Sequence, residues 1–462
     1  MRNIKRIVAA VMAVSLSMSF IACSKTKEES KPKKDLDSAT REEIGSILAQ
    51  DERLTGELEN KTIKWLANWD INPDSTGKNV PIELAVFQER YGGKVESKIV
   101  PWESRYEQLS TSILGDEGID FFPAGDMDAF PKGAIKDMFV SVDDHVDFSS
   151  ELWSEVKDVN DKLMWKDKHY IMCTSLNGDN TAVIYNKKTI DEYGLDDPAE
   201  LFAKGEWTWD TFKSMLKDYV DPEAGLYGID GYWTEGALSM TTGVPYVGLK
   251  EGKLVNNLKD PNLERVQNYM ADLHKMSAVI DKSLFNWNEQ PQLLGEGKEL
   301  FYPCGLWALY KTKADWGKTF GEDAFFVPMP KDPKADKHYI PANLEGYFMV
   351  KGGKNPEGVA KFAECKRITL ANKRINEIAT QQLVDDYGWS QEMIDMKFKM
   401  ADMALENPVF DFYTGVTDDI KTILDSGEFG IRASLQGGLS WAETVGAAHD
   451  TVDQLIKDEN DK

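Results

Sequence analysis

The chain has 462 residues, of which 78 are Asp or Glu and 54 are Lys or Arg, so its formal net charge at pH 7 is −24. An acidic surface repels phosphate backbones and anionic lipids, which argues against nucleic acid as a partner. Cys23, Cys173, Cys304 and Cys365 form no CxxC pair and the five histidines are scattered. The sequence therefore predicts no disulfide framework, no metal site and no cofactor, and leaves open whether one cysteine pair forms.

The N-terminal residues have the pattern of an export signal. Basic residues precede an apolar run over 7–22, which is short for a membrane span. The segment Phe20-Ile21-Ala22-Cys23 resembles the lipobox of bacterial lipoproteins, whose cysteine is lipidated and becomes the mature N-terminus. We expect a signal peptide over 1–22, a lipid anchor on Cys23 and a location on the extracytoplasmic face of the cell membrane. A plain secretory signal is the alternative.

The residues over 23–60 are polar and include no Trp, Tyr or Phe. Their first part, up to about Lys34, cannot bury enough surface to become ordered and has the composition of a tether. A short helix over 41–49 is compatible with the sequence. We assign the whole segment to a polar tether.

Strands and helices alternate after about residue 61. The segment KTIKWLANWD has the pattern of a strand. In ELAVFQERYGGKVESKIV a helix pattern is followed by a Gly-Gly stop and a second strand. The next segment, WESRYEQLSTSILGDEG, has the pattern of a helix, and IDFFPAGD that of a buried strand that leads into a loop. This order predicts an α/β fold with a parallel sheet. A second, more helical region runs over 185–327. Roughly 400 residues remain without the signal and tail, which favours two lobes over one core.

The stretch GEWTWD places Trp207 and Trp209 two residues apart. Two tryptophans at this spacing could form a surface on which a ligand stacks, or they could pack at the start of a helix. With Thr208 as N-cap, Thr211 takes the third helical position. Trp207 and Phe212 then occupy the two positions of a hydrophobic staple. The pattern favours a helix start.

The order of these features resembles the bacterial extracellular solute-binding proteins of carbohydrate-type ABC importers, family 1. The lipobox and tether come first. The further landmarks are IDFFPAGDMDAF, GDNTAVIYNKKTIDEYGLDDP, GEWTWDTF, LLGEGKELFYPCGLWAL and EGYFMVKGGKNPEGVAKFAE, in that order. The resemblance covers nearly all of the chain after Lys61, and it is specific for the family and not for the ligand.

The resemblance implies a two-lobed, periplasmic-binding-protein-like fold of the class II type, in which each lobe is a sheet flanked by helices and the ligand cleft lies between the lobes. Lobe one would comprise 61–178 plus 345–405, and lobe two 185–335 plus 410–462. Crossings between the lobes would fall near Asp179–Thr181, Ala342–Glu345 and Asn407–Phe410.

The resemblance also implies a function. Lobe closure would capture a sugar, in particular a neutral oligosaccharide, for delivery to the membrane subunits of an ABC permease. The protein would be a monomer and not an enzyme. A binder of a peptide or other organic solute would share the fold. A secreted glycoside hydrolase would also need tryptophans and paired carboxylates, but no catalytic signature occurs. A structural surface lipoprotein would have no saturable ligand.

Position along the strands selects four candidate binding residues. Trp69 and Asp70 follow the first predicted strand and Trp102 follows the second, and α/β lobes place cleft loops at the C-terminal ends of their strands. Trp233 would begin such a loop in the second lobe if 228–230 is a strand. Packing at the sheet edge is the alternative for Trp69 and Trp102.

The resemblance adds three residues near the first crossing. Asp126, in the loop after IDFFPA, matches the acidic residue that bonds sugar hydroxyls in the family, although it could instead cap a helix. Asp179 and Asn180 lie on the crossing itself, where an Asx turn is the competing explanation.

Three further candidates follow from the same resemblance. Trp307 in CGLWAL matches the family tryptophan that commonly stacks on a sugar ring. Glu345 lies on the second proposed crossing. Tyr413 lies where the family often supplies a last aromatic residue.

Overall fold

The described strands form two main sheets and one hairpin. The computed structural model describes residues 35–73, 80–125 and 127–462. In chain order the strands are β1 (Thr62–Ala67), β2 (Lys94–Ile99), β3 (Phe121–Pro123), β4 (Phe139–Val140), β5 (Ile171–Asn177), β6 (Ala182–Asn186), β7 (Tyr227–Ile229), β8 (Val247–Lys250), β9 (Lys253–Asn256), β10 (Glu299–Cys304), β11 (Ala324–Pro328) and β12 (Asn343–Val350). The first sheet has the order β2-β1-β3-β12-β4, with β5 also paired to β12, the second has the order β11-β6-β10-β7, and β8 pairs with β9.

Helices cover both sheets. Those of the first part of the chain are α1 (Ser38–Leu48), α2 (Ile82–Tyr91), α3 (Arg105–Leu114), α4 (Lys132–Ile135), α5 (Lys157–Lys162), α6 (Lys187–Glu192), α7 (Pro198–Lys204), α8 (Trp209–Tyr219), α9 (Thr234–Met240) and α10 (Pro261–Lys275). Those of the second part are α11 (Gln292–Gly295), α12 (Lys313–Phe320), α13 (Pro356–Ala371), α14 (Lys373–Asp385), α15 (Gln391–Glu406), α16 (Tyr413–Val416), α17 (Asp418–Leu424), α18 (Ala433–Gln436) and α19 (Trp441–Asp461). The part of the chain that the structure describes also has short 3₁₀ helices over Trp102–Ser104, Glu151–Val156, Lys282–Phe285 and Leu306–Leu309.

The α/β prediction is confirmed. Strands β1, β2 and β3 alternate with α2 and α3, and β1 runs parallel to both neighbouring strands. Every residue of β6, β10 and β11 is buried. Such continuous apolar strands are typical of sheets that are covered on both faces, and periodicity alone does not separate them from buried helices.

The helix start at GEWTWD is also confirmed. Helix α8 begins at Trp209, and Thr208 and Thr211 exchange the two hydrogen bonds of a capping box. The rings of Trp207 and Phe212 pack edge to face with centroids 5.6 Å apart, as the hydrophobic staple requires. Trp207 is buried, and its Nε1 donates to the Pro328 carbonyl at 2.8 Å.

Helix α1 lies within the segment that the sequence suggested as a tether. Its Ile44 and Leu48 are buried in the same apolar cluster as Val86 of α2 and Ile368 of α13. The helix begins after Asp37, whose carboxylate accepts from two backbone N–H groups. The helix Ser38–Leu48 is therefore part of the packed structure on the side of the first sheet and contacts α2.

The chain passes between the two sheets at short segments. It leaves β5 at Asn177 and enters β6 at Ala182, and it returns from β11 to β12 over 329–342. A third segment over 407–412 runs beside the second, where the Ala342 N–H donates to the Val409 carbonyl at 3.2 Å.

Helix α15 contacts both sheets, through β5 and through β11. Just before it, Trp389 donates its indole N–H to the Leu309 carbonyl at 3.0 Å, and the Tyr387 carbonyl accepts from the Trp316 indole at 2.9 Å. Residues 387–389, which the sequence places in lobe one, therefore contact Leu309 and Trp316, which it places in lobe two.

The cysteines of the described chain are buried free thiols: Cys173, Cys304 and Cys365. Burial raises the pKa of each thiol, which disfavours the reactive thiolate. Cys23 lies outside the described residues, as do the signal peptide and the first part of the predicted tether.

We expect Trp207→Ala to lower the free energy of unfolding by ~3–5 kcal/mol, because it removes a buried indole and leaves the Pro328 carbonyl without its donor. Chemical denaturation followed by circular dichroism measures the change. Thr208→Ala, which removes only the cap, should cost about 1 kcal/mol. A loss for Trp207→Ala no larger than that for the cap variant would contradict the packing role.

Candidate functional site

The two sheets present one edge each to the first crossing. In the first sheet β1, β2, β3 and β5 share a direction, because β12 is antiparallel to both β3 and β5. In the second sheet β7 and β10 are parallel and β6 is antiparallel to β10, so β6 begins at the edge where β7 and β10 end. Only Gly178–Thr181 separates the end of β5 from the start of β6, so these edges are at most about 18 Å apart at this point.

Exposed tryptophans are concentrated at these two edges. The chain has 13 tryptophans, and eight of them are buried. Four of the other five follow strands that end at the joined edges: Trp69 (46% exposed) after β1, Trp102 (42%) after β2, Trp233 (46%) after β7 and Trp307 (45%) after β10. Four of the five exposed tryptophans therefore follow strands that end at the joined edges, two from each sheet.

Trp102 is held by a buried arginine. The guanidinium of Arg105 lies over the indole, 4.2 Å from its centroid, and donates to the Trp102 carbonyl at 2.7 Å. Arg105 also pairs with Asp128, which accepts from the Tyr106 hydroxyl. The guanidinium thus covers one face of the indole, while the ring remains substantially exposed.

Trp69 and Asp70 form a fixed turn at the end of β1. The indole N–H of Trp65 donates to the Trp69 carbonyl at 3.0 Å, and the two rings meet edge to face. The Asp70 carboxylate accepts from the backbone and side chain of Asn72 and from the Ser97 hydroxyl. Asp70 therefore organises the loop that presents Trp69.

The second sheet presents an aromatic group of three. The Tyr232 ring lies between the other two, with its centroid 5.7 Å from that of Trp233 and 6.1 Å from that of Trp307. A Cβ on Gly305 would lie 2.3 Å from the Trp307 ring and 2.9 Å from the Asn180 carbonyl oxygen. Glycine at 305 is thus required for the close approach of Trp307 to the crossing.

The carboxylates predicted on the crossings are neutralised by lysines. Asp179 is buried and accepts from Lys397 Nζ at 2.9 Å and from Asn343 Nδ2 at 3.3 Å. Glu345 accepts from Asn177 Nδ2 at 2.6 Å and pairs with Lys366 at 3.1 Å. Burial raises the pKa of Glu345, but the charges of Lys366 and Lys397 outweigh it and lower the pKa to about 2.

Two of the predicted binding residues, Asp126 and Tyr413, are not among the groups described at the joined sheet edges. Asp126 lies outside the described residues. Tyr413 begins α16, its hydroxyl donates to Asp425 at 2.8 Å, and its ring meets Tyr246 edge to face. Its polar end is therefore committed to packing beside α17.

Sequence reasoning missed several residues at the junction. Tyr232 adjoins Trp233 in YGIDGYW, so its neighbour could have indicated it. Lys397 acts through Asp179, which is distant in sequence, and no local pattern marks it. The fifth exposed tryptophan, Trp287, stands in SLFNWNE, which matches no motif used above.

Comparison with known protein families gives one match. The profile of the bacterial extracellular solute-binding proteins matches residues 72–365, which is more than half of the chain. The chain belongs to this family. The match confirms the resemblance seen in the sequence and indicates that this solute-binding protein acts outside the cytoplasm. A comparison with curated protein sequences found no significant match.

Solved structures share the two-lobed fold. An ABC substrate-binding protein from Listeria monocytogenes in complex with cycloalternan superposes with a TM-score of 0.62 at 15% identity, covering 86% of this chain and 100% of that one. A cyclic alpha-maltosyl-1,6-maltose binding protein from Arthrobacter globiformis superposes with a TM-score of 0.61 at 16% identity, and the match covers 87% of this chain and 100% of that one. An ABC transporter solute-binding protein from Thermotoga lettingae bound with alpha-D-tagatose superposes with a TM-score of 0.60 at 16% identity, and the match covers 86% of this chain and 100% of that one. The two-lobed fold prediction is thereby confirmed.

Among the helices at 35–73, 80–125 and 127–462, none has the length and apolar character needed to cross a membrane. Over the same ranges, His, Cys, Asp and Glu side chains form no group of three or more that could hold a metal ion.

We expect the stabilising effect of Glu345 to depend on pH. Its folded pKa of about 2 lies below the ~4.3 of a free glutamate. The contribution is therefore complete above about pH 4.3 and is lost as the pH falls toward about 2. The difference in unfolding free energy between wild type and Glu345→Gln, measured by urea denaturation, should shrink as the pH is lowered. A difference that stays constant from about pH 6 to 3 would show that Lys366 does not stabilise the ionised form.

Proposed function

We propose that this protein is the substrate-binding component of an ABC importer and that it captures a neutral oligosaccharide between its two lobes. The observation that supports this most strongly is that Trp69 and Trp102 of the first sheet, and Trp233 and Trp307 of the second, are exposed after strands that end at the two edges joined by the first crossing. Sugar rings have flat C–H faces that pack well on aromatic side chains, and concave sites lined by rings with few polar groups are typical of small-molecule binding.

The charge of the protein favours a neutral ligand. A net charge of −24 resists the approach of polyanions. The polar groups near the junction, including the partly exposed carboxylate of Glu345 and the backbone of Asn180, suit hydroxyl groups. One structural relative is described as in complex with cycloalternan, another as a cyclic alpha-maltosyl-1,6-maltose binding protein, and a third as bound with alpha-D-tagatose.

Capture would work by a shift between open and closed lobes. A sugar that touches tryptophans of both lobes binds the closed form better and so shifts the hinge equilibrium toward it. The closed form would deliver the sugar to the permease, whose energy comes from a separate ATPase. In this proposal no bond in the sugar is made or broken, so the role is that of a binder and not of an enzyme, and the binder acts as a monomer.

The remaining expectations from the sequence belong to the same proposal. Lobe one comprises 61–178 plus 345–405 and lobe two 185–335 plus 410–462, with crossings near Asp179–Thr181, Ala342–Glu345 and Asn407–Phe410. The proposed binding residues are Trp69, Asp70, Trp102, Asp126, Asp179, Asn180, Trp233, Trp307, Glu345 and Tyr413. Of these, we assign Asp70, Asp179 and Tyr413 to shaping the cleft, because their polar groups bond to Ser97, Lys397 and Asp425.

A thermal-shift screen tests the substrate class. The soluble form lacking residues 1–34 should be melted with a panel of neutral oligosaccharides, short peptides and acidic sugars. We expect stabilisation by one or more neutral oligosaccharides, because ligands that bind only the folded state raise its stability. Stabilisation by peptides alone would favour the other solute class, and shortened sugars after incubation would indicate a glycoside hydrolase.

We expect Trp307→Ala to weaken binding of the oligosaccharide found in that screen by at least about tenfold, because the indole supplies a stacking face. Since Trp307 is 45% exposed, its loss should leave the melting temperature nearly unchanged. Titration calorimetry measures the affinity. Tyr193→Ala is a matched control, because that ring is equally exposed but packs on Tyr219, whose hydroxyl bonds Gly297 at the opposite sheet edge. Unchanged affinity in Trp307→Ala would remove this residue from the site.

We expect Cys23→Ala to release the protein from the membrane, because the lipid would have no attachment point. Fractionation of bacteria that produce the full chain, together with labelling by a fatty-acid analogue, measures both anchoring and acylation. Wild type should be labelled and sediment with membranes, whereas the variant should be unlabelled and soluble. A variant that remains labelled would refute lipidation at this cysteine.

A further inference from the structure

The second sheet extends by one more strand-like segment beyond β7. The Ile229 N–H donates to the Ala278 carbonyl at 2.8 Å, and the Ile280 N–H donates to the Ile229 carbonyl at 2.9 Å. This bridge is parallel. The residues after Ile280 therefore emerge at the same edge as those that follow β7 and β10.

Trp287 lies in the loop that leaves this segment. It is 74% exposed, more than any of the other 12 tryptophans. The loop contains the 3₁₀ helix Lys282–Phe285 and then places Asn286 and Trp287 in the left-handed region, with φ of 54° and 64°. Left-handed backbone is costly for a bulky residue, so tertiary contacts must hold this conformation.

The loop is tied at both ends to Asp230, the residue that follows β7. The Asp230 carboxylate is buried, pairs with Lys282 Nζ at 3.3 Å and accepts from the Gln290 N–H at 2.6 Å. Lys282 also donates to the Gly231 carbonyl at 3.3 Å. The base of the Trp287 loop and the base of the Trp233 loop are therefore one connected unit.

Three neighbouring parallel segments each end in an exposed tryptophan. Along the edge these are Trp307 after β10, Trp233 after β7 and Trp287 after the segment bridged at Val279. Neighbouring strands lie ~4.8 Å apart, so the strands that carry the first and third tryptophan are ~10 Å apart. A large aromatic ring that is exposed on a constrained loop is typical of a contact surface, because a surface turn without a binding role does not need such a ring.

We propose that Trp287 is an outer stacking site for carbohydrate, and that the captured ligand is an oligosaccharide long enough to extend along the lobe-two edge past Trp233. This inference rests on the proposed function and adds the length of the ligand to it. Short sugars contact Trp307 and Trp233 and end before Trp287. Longer sugars add a ring over Trp287, so the protein selects chain length through one residue of the loop over 281–290.

The test compares oligosaccharides of one linkage and increasing length. Size-fractionated hydrolysates of starch, cellulose, xylan, mannan and galactan are mixed with the soluble form, and captured saccharides are identified by native mass spectrometry. For the linkage captured, affinities of the di- to heptasaccharides are measured for wild type, Trp287→Ala, Trp287→Phe and the Tyr193→Ala control.

We expect Trp287→Ala to weaken binding of the long members by about fivefold and to change disaccharide binding by less than about twofold, because only long chains reach the ring. Trp287→Phe should recover part of the loss, and Tyr193→Ala should match wild type. Melting temperatures of all variants confirm folding.

The remaining outcomes separate the two proposals. If Trp287→Ala equals wild type at every length, the outer site is refuted while oligosaccharide capture stands. Equal weakening at every length would also refute it, because the residue would then act on the whole site. If wild type captures no saccharide from any hydrolysate, both proposals fail. Impaired import in cells with unchanged affinities would assign Trp287 to a contact with the permease.

Discussion

The ion pair between Asp179 and Lys397 is the interaction on which the rest of the cleft depends. Asp179 lies on the four-residue crossing, accepts from Asn343 at the start of β12, and through its carbonyl accepts from the Leu306 N–H at 2.8 Å. It thereby connects the first sheet, α15 and the segment that carries Trp307. Removal of one partner of such a buried pair commonly costs ~3–5 kcal/mol, because the other charge is left uncompensated.

Close packing around the same crossing limits how it can move. A Cβ on Gly178 would lie 2.3 Å from Cδ1 of Ile340 and 2.9 Å from the Met400 carbonyl oxygen, so the second crossing and α15 press against the first. A hinge of this kind has few rotatable residues and rigid neighbours. Such a hinge suits rigid-body closure, in which the loops at each sheet edge keep their shape while the lobes approach.

Local rules predicted some features well and others not at all. The helix start at Trp209 follows from residues within a few positions of one another, so sequence was sufficient. Trp69, Trp102 and Trp233 were selected from their positions after strands, and each is exposed at a strand end. The sequence did not indicate Trp287 as a candidate, because its position at the sheet edge depends on the bridge between Ile229 and Val279, which are far apart in sequence.

The partners of polar residues were the least predictable part. Asp70 and Tyr413 were selected as binding residues, but Ser97 and Asp425 take up their polar groups. The cover that Arg105 provides for Trp102 is equally absent from any local pattern, although the two residues are three positions apart. Side-chain partnership depends on tertiary geometry, whereas exposure at strand ends follows from topology, and only the latter leaves a signal in the sequence.

A crystal structure of the protein with a captured saccharide tests the central claim most directly. The account predicts that the saccharide lies at the joined sheet edges and contacts at least one of Trp69 and Trp102 and at least one of Trp233 and Trp307. A saccharide bound away from the first crossing, or held by one lobe alone, would contradict it.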